Sequence, residues 1–268
     1  MKTMNEEFTT NADEPLMEKQ TFTHQEPEDS ANTQLLTKGK YVFTTFGWML
    51  VFYVPSLILS LFVGIYAGAF LEIPDIETWI VDGDVTAMLG IGVAIVTLPV
   101  VYWAINLTPV TDKLALIGLR SSTGASQLLT WGIVTAVFIG IWWVINATIE
   151  IETPQFMVGL KETTDNIWLL FFAICIVAPI FEEIVFRGFM FGRLENTPIG
   201  KWGTLLITSL VFTLIHGQYN AIELTMVFSL ALLLGYSRMK TGNLYVPTFI
   251  HMFNNTVSMV TLYMFEVV

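Results

Sequence analysis

The sequence predicts an all-α, polytopic membrane protein, a bundle of about seven transmembrane helices. Hydrophobic residues make up 54% of the 268-residue chain, only 13% are charged, and the mean hydropathy of +0.64 is far above that of a soluble domain. The charged residues are also unevenly spread and leave seven long, mainly apolar gaps. Because roughly 20 helical residues cross a bilayer core of about 30 Å, most of these gaps are long enough to span it.

The segment before the first gap differs in composition from the rest of the chain. Residues 1–40 are polar, with more acidic than basic residues and few large apolar side chains. Such a composition is typical of disorder, so we predict a disordered acidic cytoplasmic tail. The first gap is too long for a signal-peptide core and follows no short basic region, which favours a retained helix.

The seven gaps define the predicted helices in order. Helices 1–3 fall within residues 41–165 and helices 4–7 within residues 166–268. The fourth gap can span only by continuing into Glu182, Glu183 and Arg187, which places three charged side chains at membrane depth. The gaps are 41–71, 85–111, 121–149, 166–181, 202–222, 224–237 and 241–265.

The distribution of cations predicts the orientation of the bundle. Lys and Arg are retained on the cytoplasmic side of short loops. With the N-terminus inside, only Lys161 of the 12 Lys and Arg residues lies outside, and Arg193 and Arg238 count among the cytoplasmic cations. We therefore expect a multi-pass protein of the plasma membrane with its N-terminus in the cytoplasm and its C-terminus outside.

Charge and cysteine content exclude some functions. The 12 basic and 23 acidic residues give a net charge of −11, which argues against a nucleic-acid partner. The single cysteine, Cys175, lies in an apolar run, so one chain cannot build a disulfide framework, a cysteine zinc site or a thiol relay.

Charged and polar residues inside the apolar gaps are the candidates for function, because ionisable groups are costly in a membrane. Glu183 and Arg187 are four residues apart and can meet on one helical face, while Glu182 points about 100° away. An ion pair at a helix end is the simplest interpretation. Polar side chains on two further predicted helices favour a shared pocket instead; they are His216, His251, Asn254 and Asn255.

The residue types in this pocket point to water activation. A carboxylate and two imidazoles in a water-poor site can activate a water for attack on a carbonyl, and N–H donors can stabilise the oxyanion that forms. The sequence lacks a Gly-flanked nucleophilic serine, an HExxH motif and a pair of membrane aspartates. Amide hydrolysis by an activated water is the chemistry these residues favour.

The polar residues fall into three short motifs on successive predicted helices. They are Glu182-Glu183-x-x-x-Arg187, Phe212-x-x-x-His216 and His251-x-x-x-Asn255. Together they resemble the motifs of the CPBP family, the CAAX-processing and bacteriocin-processing (Abi) intramembrane proteases. The resemblance implies a four-helix catalytic core within residues 166–268. CAAX prenyl endopeptidases of this family are usually drawn with eight helices, which makes eight the alternative to seven.

The resemblance also implies roles for the residues of the first two motifs. Glu182 activates the water, and His216 helps to hold it. Glu183 and Arg187 shape the site. The spacing makes Glu183 the partner of Arg187 and leaves Glu182 free, but it does not decide which glutamate is the base.

In the third motif, the resemblance implies that His251 and Asn255 form the oxyanion hole. Asn254 is a spare candidate, for which a helix–helix hydrogen bond is the preferred interpretation. No cofactor is favoured. The alternative is a zinc ion bound by Glu182, His216 and His251 with an open water position.

The predicted function is that of an intramembrane endopeptidase. Its partners would be the lipid bilayer and a membrane-associated peptide or protein, cleaved in CAAX-type or in bacteriocin- or self-immunity-type processing. Helical rise counted from the nearest cytoplasmic cations predicts a chamber open to the cytoplasm. Two other classes stay open: a catalytically idle scaffold or bacteriocin immunity protein, and a proton-coupled transporter that uses Glu182 and the histidines as a relay.

Overall fold

The computed structural model describes residues 39–264, and these residues form a bundle of helices without a strand. The predicted all-α class is confirmed. The predicted disordered tail lies outside the described residues, apart from its last two positions. The helices are α1 (Lys40–Phe70), α2 (Ile76–Ile80), α3 (Gly83–Leu107), α4 (Lys113–Leu116), α5 (Ala125–Ile149), α6 (Gln155–Thr163), α7 (Ile167–Leu194), α8 (Gly200–Leu214), α9 (Ala221–Thr241) and α10 (Tyr245–Met264).

Five of the described helices, α1, α3, α5, α7 and α9, are long and apolar enough to cross a membrane. Helix α8 is apolar but has only 15 residues, which corresponds to about 22 Å of helical rise. Helix α10 has 20 residues, and His251 and two asparagines interrupt its apolar sequence. The protein is therefore polytopic as predicted, while the predicted number of seven or eight spanning helices is not confirmed.

The lateral surface of the bundle is apolar. Leu57, Ile58, Leu61 and Phe62 of α1 are each more than 60% exposed. Helix α5 buries only Thr135 and presents further aliphatic side chains outward. An exposed apolar surface of this extent is expected where helices face lipid.

Buried arginines join the helix ends at one side of the bundle. Arg193, near the C-terminus of α7, donates hydrogen bonds to Thr44 (2.9 Å) and Thr45 (3.0 Å) of α1 and to Thr108 (2.5 Å), which follows α3. Arg238 of α9 lies over the ring of Phe191. Both arginines are only 3% exposed, so they lie between helices at this end of the bundle and not in exposed loops.

A second group of contacts joins the helix ends at the opposite side. Asp84, in the first turn of α3, accepts hydrogen bonds from Thr164 Oγ1 (2.6 Å) and the Asn166 N–H (3.1 Å) in the α6–α7 link. Lys161 of α6 donates to the carbonyl of Leu262 in α10 (2.8 Å). The first turns of α3 and α7 therefore lie beside the last turns of α10.

Close packing between α7 and α4 depends on a glycine. A Cβ atom at Gly192 would lie 2.0 Å from the carbonyl oxygen of Leu116, a backbone atom that cannot move aside without displacing α4. We expect Gly192→Ala to lower the free energy of unfolding by about 3 kcal/mol, measured by thermal unfolding in detergent. Gly140→Ala is the matched control, since a Cβ there meets nothing within 4 Å. Equal stability of the two variants would contradict this packing.

Candidate active site

Two wide helical turns in α7 position its functional side chains. They are π-helical and span Ala173–Val177 and Ile184–Met190. At the end of the first, the N–H of Ala178 bonds to the carbonyl of Ala173, five residues back. The next donor in that register would be residue 179, which is a proline and has no N–H. The carbonyl of Ile174 is therefore left without its backbone donor.

A side chain from α10 supplies the missing donor. Asn255 Nδ2 donates to the carbonyl of Ile174 at 3.0 Å, and Asn254 Nδ2 donates to Asn255 Oδ1 at 3.3 Å. The amide of Asn255 is therefore held at both ends, with one N–H left to donate. Asn254 does not make the helix–helix bond preferred for it, since its Oδ1 is buried without a partner; Asn255 makes such a bond instead.

A buried ion pair lies further along α7, at its second wide turn. Arg187 Nη1 donates to Glu183 Oε1 at 2.8 Å, and both side chains are fully buried. Arg187 Nη2 also donates to the carbonyl of Ala231 in α9 (3.1 Å), and the guanidinium lies 4.5 Å from the ring centroid of Phe212. The pair therefore connects α7 with α8 and α9 beneath the site.

Both glutamates lie beside His251. Its Nδ1 is 3.0 Å from Glu183 Oε1, and its Nε2 is 3.8 Å from Glu182 Oε2. The Glu182 side chain is 20% exposed, whereas that of Glu183 is completely buried. One imidazole thus lies between a carboxylate that is paired with an arginine and one that is open to the cavity.

The second imidazole, His216, has its protonation pattern set by the backbone. Its Nδ1 lies 2.7 Å from the carbonyl of Phe212. Because a carbonyl oxygen can only accept, Nδ1 carries the hydrogen, and Nε2 of the neutral ring is an acceptor. The ring of His216 stacks on Tyr219, with the planes 8° apart. The ring of Phe212 lies close to both His216 and His251.

A cleft of about 470 Å³ opens onto these residues. The structure brings all six predicted site residues together: four line the cleft, and Glu183 and Arg187 lie behind them. The other side chains that line the cleft are mostly apolar and come from several helices, among them Ile139 of α5 and Leu262 of α10. The lining residues that belong to the site are Glu182, His216, His251 and Asn255.

The cleft meets the surface at the side of the bundle joined by Asp84 and Lys161. Its outer lining includes the exposed residues Glu152, Gln218 and Ile222. The chamber was expected to open towards the end that carries most of the cations, and this expectation is wrong. Counting helical rise along the sequence gives the depth of each residue in the bundle, but it does not show at which end of the bundle the helices separate to form an opening.

Some residues around the site lie outside the three sequence motifs. A proline inside an apolar helical segment is a signal for a local break in the backbone ladder, so Pro179 could have been noticed. The carbonyl of Ala231 that receives Arg187, and the stacking of Tyr219 on His216, arise from contacts between helices that the sequence pattern does not encode.

The side chains that could bind zinc are His216, His251 and Glu182. Both imidazoles engage Nδ1 in a hydrogen bond, the arrangement that commonly supports a metal bound at Nε2. Glu182 would be the third ligand. No three His, Cys, Asp or Glu side chains among residues 39–264 are grouped as a metal site requires.

The fold and the site define a class: a polytopic all-α membrane protein with a carboxylate–imidazole site within its bundle. Residues 164–257, which contain all three motifs, match the family model described as type II CAAX prenyl endopeptidase, Rce1-like. The resemblance to the CAAX-processing intramembrane proteases is thereby confirmed for this segment.

Three curated proteins are similar to parts of the chain. An uncharacterized 24.3 kDa protein of Escherichia coli is 29% identical over 143 residues, covering 52% of this chain and 64% of that protein. The putative membrane peptidase YdiL of Bacillus subtilis is 34% identical over 110 residues, covering 40% and 41%. The membrane-embedded CAAX protease MroQ of Staphylococcus aureus is 32% identical over 92 residues, covering 32% and 36%. The chain thus spans less than two thirds of each relative, and no solved structure matches it significantly.

Proposed function

We propose that the protein is an intramembrane endopeptidase that hydrolyses a peptide bond of a membrane-associated substrate with a glutamate-activated water. The observation that carries the proposal is the different environment of the two glutamates. Glu183 is buried and paired with Arg187, while Glu182 lines the cleft beside the two imidazoles. The match of residues 164–257 to a peptidase family supports the same chemistry.

Two acceptors in the cleft can hold the attacking water. A water that donates one O–H to Glu182 and the other to His216 Nε2 keeps a lone pair directed at the substrate carbonyl. As its oxygen bonds to the carbonyl carbon, one water proton passes to Glu182. The same proton then passes to the leaving nitrogen as the C–N bond breaks, which yields an acid and an amine and restores the carboxylate.

Donors on α10 stabilise the oxyanion. Asn255 has one N–H left after its bond to Ile174. Because His251 donates Nδ1–H to Glu183, its Nε2 can also donate only when the ring carries both protons. A donor in an oxyanion hole contributes about 10²–10³-fold to the rate.

Comparison of peptides in cells tests the proposed activity and identifies the substrate. Membrane-associated peptides from cells with the unaltered protein and with Glu182→Gln are compared by mass spectrometry. We expect at least one peptide to keep extra residues only in the variant. Glu162→Gln is the matched control, because Glu162 is exposed on α6 and lies outside the cleft.

Two outcomes of this comparison would contradict the proposal. If the peptides and the cellular phenotype are both unchanged in Glu182→Gln, the motif is not used for hydrolysis, and the hypothesis of an idle scaffold or immunity protein replaces the proposal. If purified protein in liposomes moves protons and Glu182→Gln stops that flux, the transporter hypothesis replaces hydrolysis.

Removal of metal separates the two forms of the mechanism. We propose hydrolysis without a metal, so dialysis of the purified protein against a strong zinc chelator should leave the rate unchanged. Loss of activity that zinc alone restores would instead make Glu182, His216 and His251 zinc ligands. A zinc ion would supply a more acidic bound water at that position.

The missing N–H at residue 179 gives a further prediction. Pro179→Ala provides a backbone donor that competes with Asn255 for the Ile174 carbonyl, so Asn255 loses its orientation. We expect kcat to fall about tenfold, less than for loss of an oxyanion donor, with KM unchanged. Pro55→Ala in the lipid-facing helix α1 is the matched control.

A double variant distinguishes this positioning effect from a general loss of stability. If Pro179 acts through Asn255, adding Pro179→Ala to Asn255→Ala causes no further loss of activity. Additive losses would show that the proline only stabilises α7.

A further inference from the structure

Among residues 39–264, charges of opposite sign collect at the two ends of the bundle. At the first, here called the basic end, lie five exposed or half-buried cations, together with Asp112 and Glu195. The second, the acidic end, has ten acidic residues and Lys161 within the same range. The cations of the basic end are Lys40, Lys113, Arg120, Lys201 and Lys240. The acidic residues of the other end are Glu72, Asp75, Glu77, Asp82, Asp84, Glu150, Glu152, Glu162, Asp165 and Glu223.

Contacts between links and helix ends show that the residues of each group lie together at one end of the bundle. At the basic end, the N–H of Leu244 donates to the carbonyl of Gly118 (2.8 Å), which joins the α9–α10 turn to the α4–α5 link. Arg193 joins α7 to α1 and to the end of α3 at that side. At the acidic end, Asp84 and the α6–α7 link are hydrogen-bonded.

The exceptional cation at the acidic end is held by the fold. Lys161 donates to the carbonyl of Leu262 and lies 5.6 Å from the ring centroid of Tyr263. It is half-buried against α10. Its position therefore follows from packing, and the described residues of the acidic end keep a net negative charge.

The cleft belongs to the acidic end. Its rim is built from the α5–α6 link, the α8–α9 link and the last turns of α10. Glu182 lies about 21 Å of helical rise from Trp168 at the acidic end of α7, and about 16 Å from Arg193 at the basic end. A substrate therefore reaches Glu182 from the acidic end, at about the middle of the bundle.

We propose that the cleft opens at the non-cytoplasmic face of the membrane and that the substrate is a peptide segment presented at that face. Lys and Arg of short loops are retained in the cytoplasm, whereas Asp and Glu have little influence. The basic end is then cytoplasmic and the acidic end external. That the bound segment is a substrate rests on the proposed function. That the cleft opens at the non-cytoplasmic face rests on the charge distribution alone. The apolar lining fits a segment that carries apolar residues beside the cleaved bond.

Labelling of introduced cysteines tests the orientation. The native chain is a suitable background because its single cysteine, Cys175, is completely buried. Gln218→Cys places a thiol at the rim of the cleft, and Ser121→Cys places one at the basic end. Both positions are exposed and neither substitution changes charge. A membrane-impermeant maleimide is added to intact cells and to permeabilised cells.

We expect Gln218→Cys to be labelled in intact cells and Ser121→Cys only after permeabilisation. The opposite pattern overturns the inference and places the cleft on the cytoplasmic side. Labelling of both positions in intact cells also overturns it, since the protein then inserts in two orientations. Labelling does not depend on catalysis. A labelling pattern that contradicts the orientation therefore does not contradict the endopeptidase proposal, and a negative peptidase assay does not contradict the orientation.

Discussion

Glu182→Gln in the purified protein should slow peptide hydrolysis by about 10³-fold without changing its unfolding temperature. The amide cannot take the proton of the attacking water, and a general base contributes about 10²–10⁴-fold. Stability should be almost unaffected because Gln has the shape of Glu, the Glu182 side chain reaches the cleft and lies 3.8 Å from His251, and the buried partner of Arg187 is Glu183. The measurement is kcat/KM for the peptide found in cells, with Glu162→Gln as the control.

His216→Ala extends this prediction. If Glu182 and His216 hold the same water, the double variant should be no slower than Glu182→Gln alone, as for other residues that act as a unit. Multiplied losses would mean that the two side chains act in separate steps. Full activity of Glu182→Gln would remove Glu182 from the mechanism.

Arg187→Met is expected to give the largest loss of stability in the chain. It leaves the carboxylate of Glu183 completely buried without its cation, a change that costs about 3–5 kcal/mol. The fraction of folded protein extracted from membranes should fall sharply, and so should the midpoint of thermal unfolding in detergent.

A second substitution checks the cause. Adding Glu183→Gln to Arg187→Met removes the unpaired charge, and we expect most of the folded protein to return. Hydrolysis should stay low, because His251 then lacks the carboxylate that holds its Nδ1. No recovery in the double variant would show that the arginine acts mainly through Ala231 and Phe212.

Much of the bundle follows from the gaps between charged residues. The helices α1, α3, α5 and α9 begin and end within a few residues of predicted spans. Helix α8 ends at Leu214, well before the end of the predicted span 202–222. The chain turns at His216 and Gly217, and helix α9 begins at Ala221. The start of α9 has a signal in the sequence: Asn220 and Glu223 form a capping box.

The site is only partly encoded in local spacing. The four-residue spacing of Glu183 and Arg187 predicts their ion pair, which the structure contains. The bond from His251 to Glu183 joins residues 68 positions apart and depends on how α10 packs on α7. The burial of Arg193 and Arg238 could not be predicted, because a count of cations cannot distinguish a loop from a buried position between helices.

The hydrogen bond from Asn255 to Ile174 has a consequence for the order in which the site is completed during synthesis. Helix α7, with Glu182 and Glu183, leaves the ribosome well before α10. Until α10 is inserted and packed, the carbonyl of Ile174 has no donor, and the site lacks both its second imidazole and its amide. A nascent chain without α10 therefore has an incomplete site, and the proposed hydrolysis requires α10 to be packed on α7.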